Sequence, residues 1–503
     1  MRCRQFAGLL ATVAVLVAAC GGQQAGGSNT AGASASAIPS SARPAATAPT
    51  ANAQEKPAAA AAASAAGSAS GAPKPAAGGS ASAPASSSPD WLVYHGNPGH
   101  TGVGPAQPPI AAPRQLWSTA LDGAVYGEPL VAGGRVFVVT ENDTAYALNI
   151  ADGKVIWQQH TGEPVPRSAL PCGDIDPSGL TATPAIDAAK GLLYAVGRMQ
   201  PTHHELVAFN LASGQVKFRR TIDPPGADPR YLQERSALTL ANGRVYVAFG
   251  GNFGDCGPYK GWVLSAPADS GSGNVLSWAV PTQREGAIWA PPGPSLDSNG
   301  DLLVAIGNAA STSQFDYGNA VIRLSPDLKI KDYWAPSDWA DLSRRDADIG
   351  SISPTILQND QTFQSGKNGA GYLLRTSKLG NIGGELFKSA ICRAAFSGTA
   401  YAPPMLYVPC SDGLVALRIG SGSFQVAWRA SAQASNAAPI VAYGSVWQID
   451  TGGSALLQFD PANGQLRNRV SLPGPSVAHF LTPTAAGGKL FATSGKNVLA
   501  FGA

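Results

Sequence analysis

The chain has 503 residues, with 35 Lys and Arg against 32 Asp and Glu and a formal net charge of +3. A balance this close leaves no strong field for a phosphate backbone, so a nucleic-acid partner is excluded. The 59 Gly and 40 Pro point to a chain rich in turns.

Residues 1–19 read as an exported leader: Arg2 and Arg4 supply a positive start, Phe6 to Val17 an apolar stretch, and small residues follow. Val17-Ala18-Ala19-Cys20 resembles the bacterial lipoprotein box, which implies lipidation at Cys20 and a lipid-anchored, extracytoplasmic protein at the membrane. Residues 20–90 are mostly Ala, Ser, Gly and Pro, with few charges and no aromatic residue before Trp91. Such a segment has nothing with which to build a core and is expected to be a flexible tether reaching about 45 Å.

From Trp91 onward one phrase recurs. Its clearest copy is Glu128-Pro129-Leu130-Val131, Ala132-Gly133-Gly134, Arg135-Val136-Phe137-Val138-Val139, Thr144-Ala145-Tyr146-Ala147-Leu148 and Asp152-Gly153-Lys154-Val155-Ile156-Trp157. Its opening returns at Thr183-Pro184, Ser236-Ala237, Gly293-Pro294, Ser353-Pro354, Gly398-Thr399, Ala438-Pro439 and Thr482-Pro483. The spacing of about 50 residues is that of a four-stranded propeller blade. The eighth copy has no fourth strand of its own, and Arg114-Gln115-Leu116-Trp117-Ser118 has the right pattern to supply it, closing the ring. The expected fold is an all-β, eight-bladed β-propeller over 91–503, with seven blades as the alternative.

The short turns within each copy lie on one face and the long loops on the other: 161–180, 221–234, 250–259, 307–318, 335–350 and 380–397. Long loops on a rigid array are where binding sites form. Cys172, Cys256, Cys392 and Cys410 lie in or beside these loops. Of three possible connectivities in an exported domain, 172–256 and 392–410 are favoured. The candidate ligand-binding residues are Asp174, Asp176, Arg235, Asp255, Trp289, Asp316, Asn319, Asp348 and Lys367. Carboxylates and amides at a channel mouth can hold Ca²⁺, while Arg and Lys can bind an anion. Asp-x-Asp and Gly-Asp pairs are also ordinary turn chemistry. No zinc, phosphate-loop or nucleophile-elbow motif is present.

Tyr146-Ala147-Leu148-Asn149 through Trp157, and Leu206-Val207-Ala208-Phe209 through Val216, resemble the PQQ-like (quinoprotein alcohol dehydrogenase-like) repeat propellers, a family that includes BamB lipoproteins. The resemblance implies inter-blade docking by Trp157, Trp278, Trp334 and Trp428. In the quinoprotein dehydrogenases it implies PQQ on a Trp platform beside calcium, with a catalytic Asp and a ring of adjacent cysteines; this chain has no adjacent cysteines. Trp289 would be the platform, with Asp316, Asn319 or Asp348 as polar partners. The expectation drawn from this mixture is a noncatalytic binding or scaffolding module at the cell envelope, with a protein, polymer or small molecule as ligand and no firm cofactor. The competing reading is a PQQ and calcium dependent alcohol or sugar dehydrogenase.

Overall fold

In the computed structural model the described residues are 90–430, 437–474 and 480–503. Cys20, the leader and the tether up to residue 89 lie outside them. The recurring phrase forms eight separate antiparallel sheets, six of them four-stranded and two carrying a fifth strand. The innermost strands are Leu130–Ala132, Ala185–Asp187, Thr239–Ala241, Ser295–Leu296, Thr355–Ile356, Ala400–Ala402, Ile440–Ala442 and Thr484–Ala486, which number blades 1 to 8. Each blade alternates direction through short turns, so Val, Tyr and Ala of the middle strands are buried on both faces. The outer strands are covered on one face only: Val216–Thr221 and Leu466–Ser471 alternate between half-buried and exposed residues.

The ring closes as its sequence pattern predicts. Arg114–Ala120 pairs antiparallel with Asn497–Gly502, completing blade 8. Neighbouring blades are held by a repeated tryptophan contact. Trp117, Trp157 and Trp428 each donate the indole N–H to a carbonyl of the next blade, those of Ile150, Leu211 and Pro461, at 3.0–3.2 Å. The ring lies on a turn glycine, Gly153, Gly214 or Gly464, where φ is +72 to +74° and an added Cβ would come within 2.6 Å of the indole. Trp334 docks differently, against Tyr372 and the Glu385 carboxylate, and Trp278 is a half-buried packing residue of blade 3.

Two features depart from the regular pattern. Asn381–Ile382, in the connection between the third and outer strands of blade 5, pairs in parallel with the outer strand Ile330–Ala335 of blade 4. The segment 380–397 therefore does not all lie on the long-loop face: Phe387–Ala390 is the outer strand itself, and only 391–397 reaches the site side.

The second feature is a strap. Residues 91–104 run across the channel near the short-turn ends of the inner strands and bond to them in turn. Trp91 exchanges two backbone hydrogen bonds with Val131, and the Leu92, Pro98, Thr101 and Gly102 carbonyls accept from Ile186, Leu296, Tyr401 and Val441. These inner strands are sheet edges, so the strap satisfies backbone groups that would otherwise face the channel. Tyr94, His95 and His100 are buried in it. Burial holds both imidazoles uncharged, lowering His95 to about 4 and His100 to about 3. The channel is thereby closed from below and opens toward the long loops.

Candidate functional site

The chain enters each inner strand from the long-loop face, and the fourth residue before each strand recurs at one level around the axis. These residues are Tyr126, Thr181, Arg235, Pro291, Ser351, Phe396 and Phe480. Two residues further on, Glu128, Thr183 and Thr482 form a lower tier above the strap. The local cause is the phrase itself: a Pro or small residue leads into the strand and fixes an extended approach that aims alternate side chains inward.

On the side of blades 4 and 5 the upper tier carries an aromatic and ionic cluster. Trp289, half-buried, lies beside Gly307, where a Cβ would come within 3.2 Å of the indole nitrogen. The Lys367 ammonium lies 5.3 Å from the centre of the Trp289 ring. It is held by Asp346 at 2.7 Å and by Asp348 at 2.8 Å. Asn308 donates to Asp346 at 2.7 Å, and Asn319 donates to Ser343 and accepts from the Ile349 N–H, locking the loop that carries Asp348. Asp348 is buried, and its Oδ1 has no hydrogen-bond partner. Burial raises its pKa, opposed by the Lys367 charge. For Lys367 burial acts against the charged form, but Asp348 and Asp346 outweigh it and lift the ammonium above the usual lysine range.

Across the axis, Phe396 and Phe480 stack at 6.1 Å and face Trp289 at 6.5 and 6.1 Å. The Arg235 guanidinium lies 5.4 Å from the Phe480 ring centre and makes only a long 3.8 Å ion pair with Asp174. Behind it two glutamates are buried. Glu141 accepts from the Gly179 N–H and the Thr181 hydroxyl, and burial lifts it to about 7. Burial, reinforced by Glu141, raises Glu234 well above the carboxylate range. Arg198, itself buried, is occupied by the Leu232, Pro229 and Asn252 oxygens.

Of the residues singled out from sequence, Trp289, Asn319, Asp348 and Lys367 come together, and Arg235 with Asp174 stands opposite them. Asp176, Asp255 and Asp316 do not join either group. Their carboxylates bind their own loops, through the Arg167 N–H, the Tyr259 hydroxyl, and the Thr282 hydroxyl with the Ser311 N–H. The cysteines form the pairs 172–256 and 392–410, with Cα separations of 6.2 and 6.0 Å, and staple loops rather than line the funnel. Tyr94, Tyr126, Glu128, Glu141, Asn308, Phe396 and Phe480 were not singled out. The signal for the tier residues was their common register before each inner strand.

Residues 111–293 match the family described as outer membrane protein assembly factor BamB. A polyvinylalcohol dehydrogenase of Pseudomonas sp is 25% identical over 230 residues, covering 41% of this chain and 34% of the relative, so the match spans about a third of that protein. The quinohemoprotein alcohol dehydrogenase of Pseudomonas putida HK5 overlays with a TM-score of 0.66 at 14% identity, covering 82% of this chain and 80% of the other. BamB of Moraxella catarrhalis gives 0.52 at 13% identity, covering 78% and 98%.

The chain is an eight-bladed PQQ-like propeller. Its fold is shared with quinoprotein dehydrogenases and with BamB, whose family model matches residues 111–293. The expectation of a purely noncatalytic module is thereby corrected, because the relatives found by sequence are dehydrogenases. The relation to an outer-membrane assembly factor fits an extracytoplasmic setting.

Whether the residues present suit the implied groups differs between the two. A planar, anionic aromatic quinone needs a flat platform, cations at its rim and a free acceptor for a proton. Trp289, the Lys367 and Arg235 pair and the unpartnered Asp348 Oδ1 match that set. Calcium takes six to eight oxygen ligands. The Lys367 ammonium already sits between Asp346 and Asp348. Among the described residues the one set of three converging Cys, His or carboxylate ligands includes two disulfide-bonded cysteines, Cys392 and Cys410. The donor set does not suit calcium, and no step below uses it.

Proposed function

We propose that the propeller is a quinone-dependent dehydrogenase that oxidises an alcohol to a carbonyl at the funnel of blades 4 and 5. The observation that carries this reading is Lys367, which lies over the Trp289 ring while holding the buried Asp348 whose second oxygen is free. When bound, the quinone supplies the two-electron acceptor that no side chain provides.

The protein's own groups do the rest. Trp289 offers the flat apolar surface, Lys367 holds Asp346 and Asp348 beside it, and Arg235 neutralises a carboxylate at the ligand's rim. Asp348 would take the substrate hydroxyl proton, its Oδ1 being buried and without a well-aligned hydrogen bond before substrate enters. The Lys367 charge opposes the burial that raises the Asp348 pKa and so favours its ionised, basic form. The strap and the aromatic tier keep water from the floor. An alcohol polymer belongs among the substrates to try, given the polyvinylalcohol dehydrogenase relative.

The experiment uses purified 90–503 with PQQ, with and without added Ca²⁺. Quenching of tryptophan fluorescence reads binding, and dye-coupled oxidation of primary, secondary and polymeric alcohols reads turnover. Saturable quenching lost in Trp289→Ala, together with turnover lost in Asp348→Asn, is expected. Absence of both PQQ binding and turnover would overturn the reading. Lipidation at Cys20 is proposed alongside it and is checked by mass spectrometry of the mature amino terminus.

A further inference from the structure

At the base of the funnel, between the two tiers, lies a cavity of about 20 Å³, room for one or two water-sized polar groups. Its wall brings Tyr94 of the strap together with Arg235 and Tyr126 of the upper tier, and with Thr183, Thr482 and Glu128 of the lower one.

We infer that this cavity is a carboxylate-binding niche, completed by the strap, in which the Tyr94 hydroxyl and the Arg235 guanidinium are the donors. Tyr94 is 2% exposed, and its hydroxyl makes no well-aligned hydrogen bond within the protein, the Ser397 hydroxyl being its polar neighbour. Arg235 is half-buried with one ion pair at 3.8 Å, so most of its five donors are available. Glu128 shares the wall without opposing an anion. Its Oε1 accepts from the Trp91 indole at 2.9 Å and its Oε2 from the His95 N–H at 2.8 Å. Burial also raises its pKa well above the carboxylate range, favouring the neutral acid.

The shared chemistry is a carboxylate. It can belong to a free small acid or to the rim of the proposed quinone, and in the second case the inference rests on the dehydrogenase reading. Either way it makes the strap part of the site: a residue some 30 positions before the first blade contributes a ligand contact from below, while Arg235 contributes one from the side.

The test uses 90–503 and two variants, Tyr94→Phe and Arg235→Gln. The first removes only a hydroxyl beside Ser397 and keeps the ring, so its fold is expected to survive. Sodium formate and acetate are titrated against sodium chloride at matched ionic strength, with the thermal midpoint as the readout. PQQ is titrated separately by fluorescence. Saturable stabilisation by formate beyond chloride, weakened about tenfold in both variants as expected for a lost bond to a charged group, supports a free carboxylate ligand. An unchanged response to formate with a tenfold loss of PQQ affinity in both variants supports a carboxylate of the cofactor. A formate response that both variants weaken, with no PQQ binding, sinks the quinone reading and keeps the niche. Identical behaviour of wild type and both variants toward all three ligands overturns the inference, and if PQQ still binds and turns over, the dehydrogenase reading survives it.

Discussion

Replacing Glu141 with Gln should flatten the pH dependence of stability in a window set by its surroundings. In the folded protein the Glu141 carboxyl is buried and lifted from 4.5 to about 7. At 1.36 kcal/mol per pH unit that difference is worth about 3 kcal/mol. The folded state binds the proton more tightly than the unfolded chain, so this contribution is fully present below about pH 4.5. It is lost as pH rises through about 7. A propeller of some 400 residues has an unfolding entropy near 0.8 kcal/mol/K, so the loss corresponds to about 4 °C in thermal midpoint. The variant keeps a carbonyl oxygen for the Gly179 N–H and the Thr181 hydroxyl. Its new amide N–H₂ takes the place of the unpartnered Oε1 and costs a roughly constant amount, so the quantity to read is slope and not offset. Midpoints of both proteins from pH 4 to 9, by calorimetry or circular dichroism, should converge or run with a fixed gap at the acid end. The variant should gain about 4 °C relative to wild type by pH 8. Glu234 and Asp143, both raised in part by the Glu141 charge, titrate more easily once that neighbour is neutral, which moves in the same direction. Parallel curves across the whole range would refute the reasoning.

Three further outcomes are expected. Gly214→Ala forces a methyl into the Trp157 indole at a φ of +74°, whereas Gly226→Ala has the same φ and open space. The first should cost about 2 kcal/mol more than the second in denaturant unfolding, and equal costs would mean that the tryptophan does not dock. Replacing Cys172 and Cys256 by Ser opens a link across 84 residues, against 18 for Cys392 and Cys410. The first pair should lower stability by about 2–5 kcal/mol and by more than the second, measured against wild type under oxidising conditions. Lys367→Met leaves Asp348 buried beside nothing positive. Its midpoint should fall most at alkaline pH and recover as the solution is acidified and Asp348 takes a proton, a trend absent in Lys367→Met combined with Asp348→Asn.

The blades were legible because their physics is local. A Pro or small residue, a short apolar strand and a glycine turn repeat eight times, and the missing outer strand announces itself at Trp117. The relation between loops and site was legible in part. Lys367, Asp348 and Trp289 precede or follow strands near the axis, as their positions in the repeat imply. Asp176, Asp255 and Asp316 have the same chemistry but serve turns, and nothing in a single chain separates an inward carboxylate from a loop-capping one. The strap was illegible because it has no repeat and no periodicity: its residues find partners on five different blades. Tyr94, His95 and His100 therefore looked like unrelated polar positions. Phe396 and Phe480 carry no motif of their own, and only their shared register with Tyr126 and Arg235 marks them as a tier. The short pairing of Asn381–Ile382 with a neighbouring blade also has no signal, since it depends on where blade 4 ends in space.

The strap also gives the molecule a mechanical polarity. It enters at Trp91, beside the first blade, and its later residues bond to Tyr401 and Val441, in the sixth and seventh. Its seat therefore exists only once most of the ring has assembled, which places its docking among the last and slowest events of a fold already rich in distant contacts. Once seated, it is the first of the described elements to meet any force applied through the preceding residues. A pull from that side loads the Trp91 and Val131 pair and then the floor beneath Tyr94 before it reaches the rest of a blade, so tension on the amino-terminal side would act on the bottom of the funnel directly.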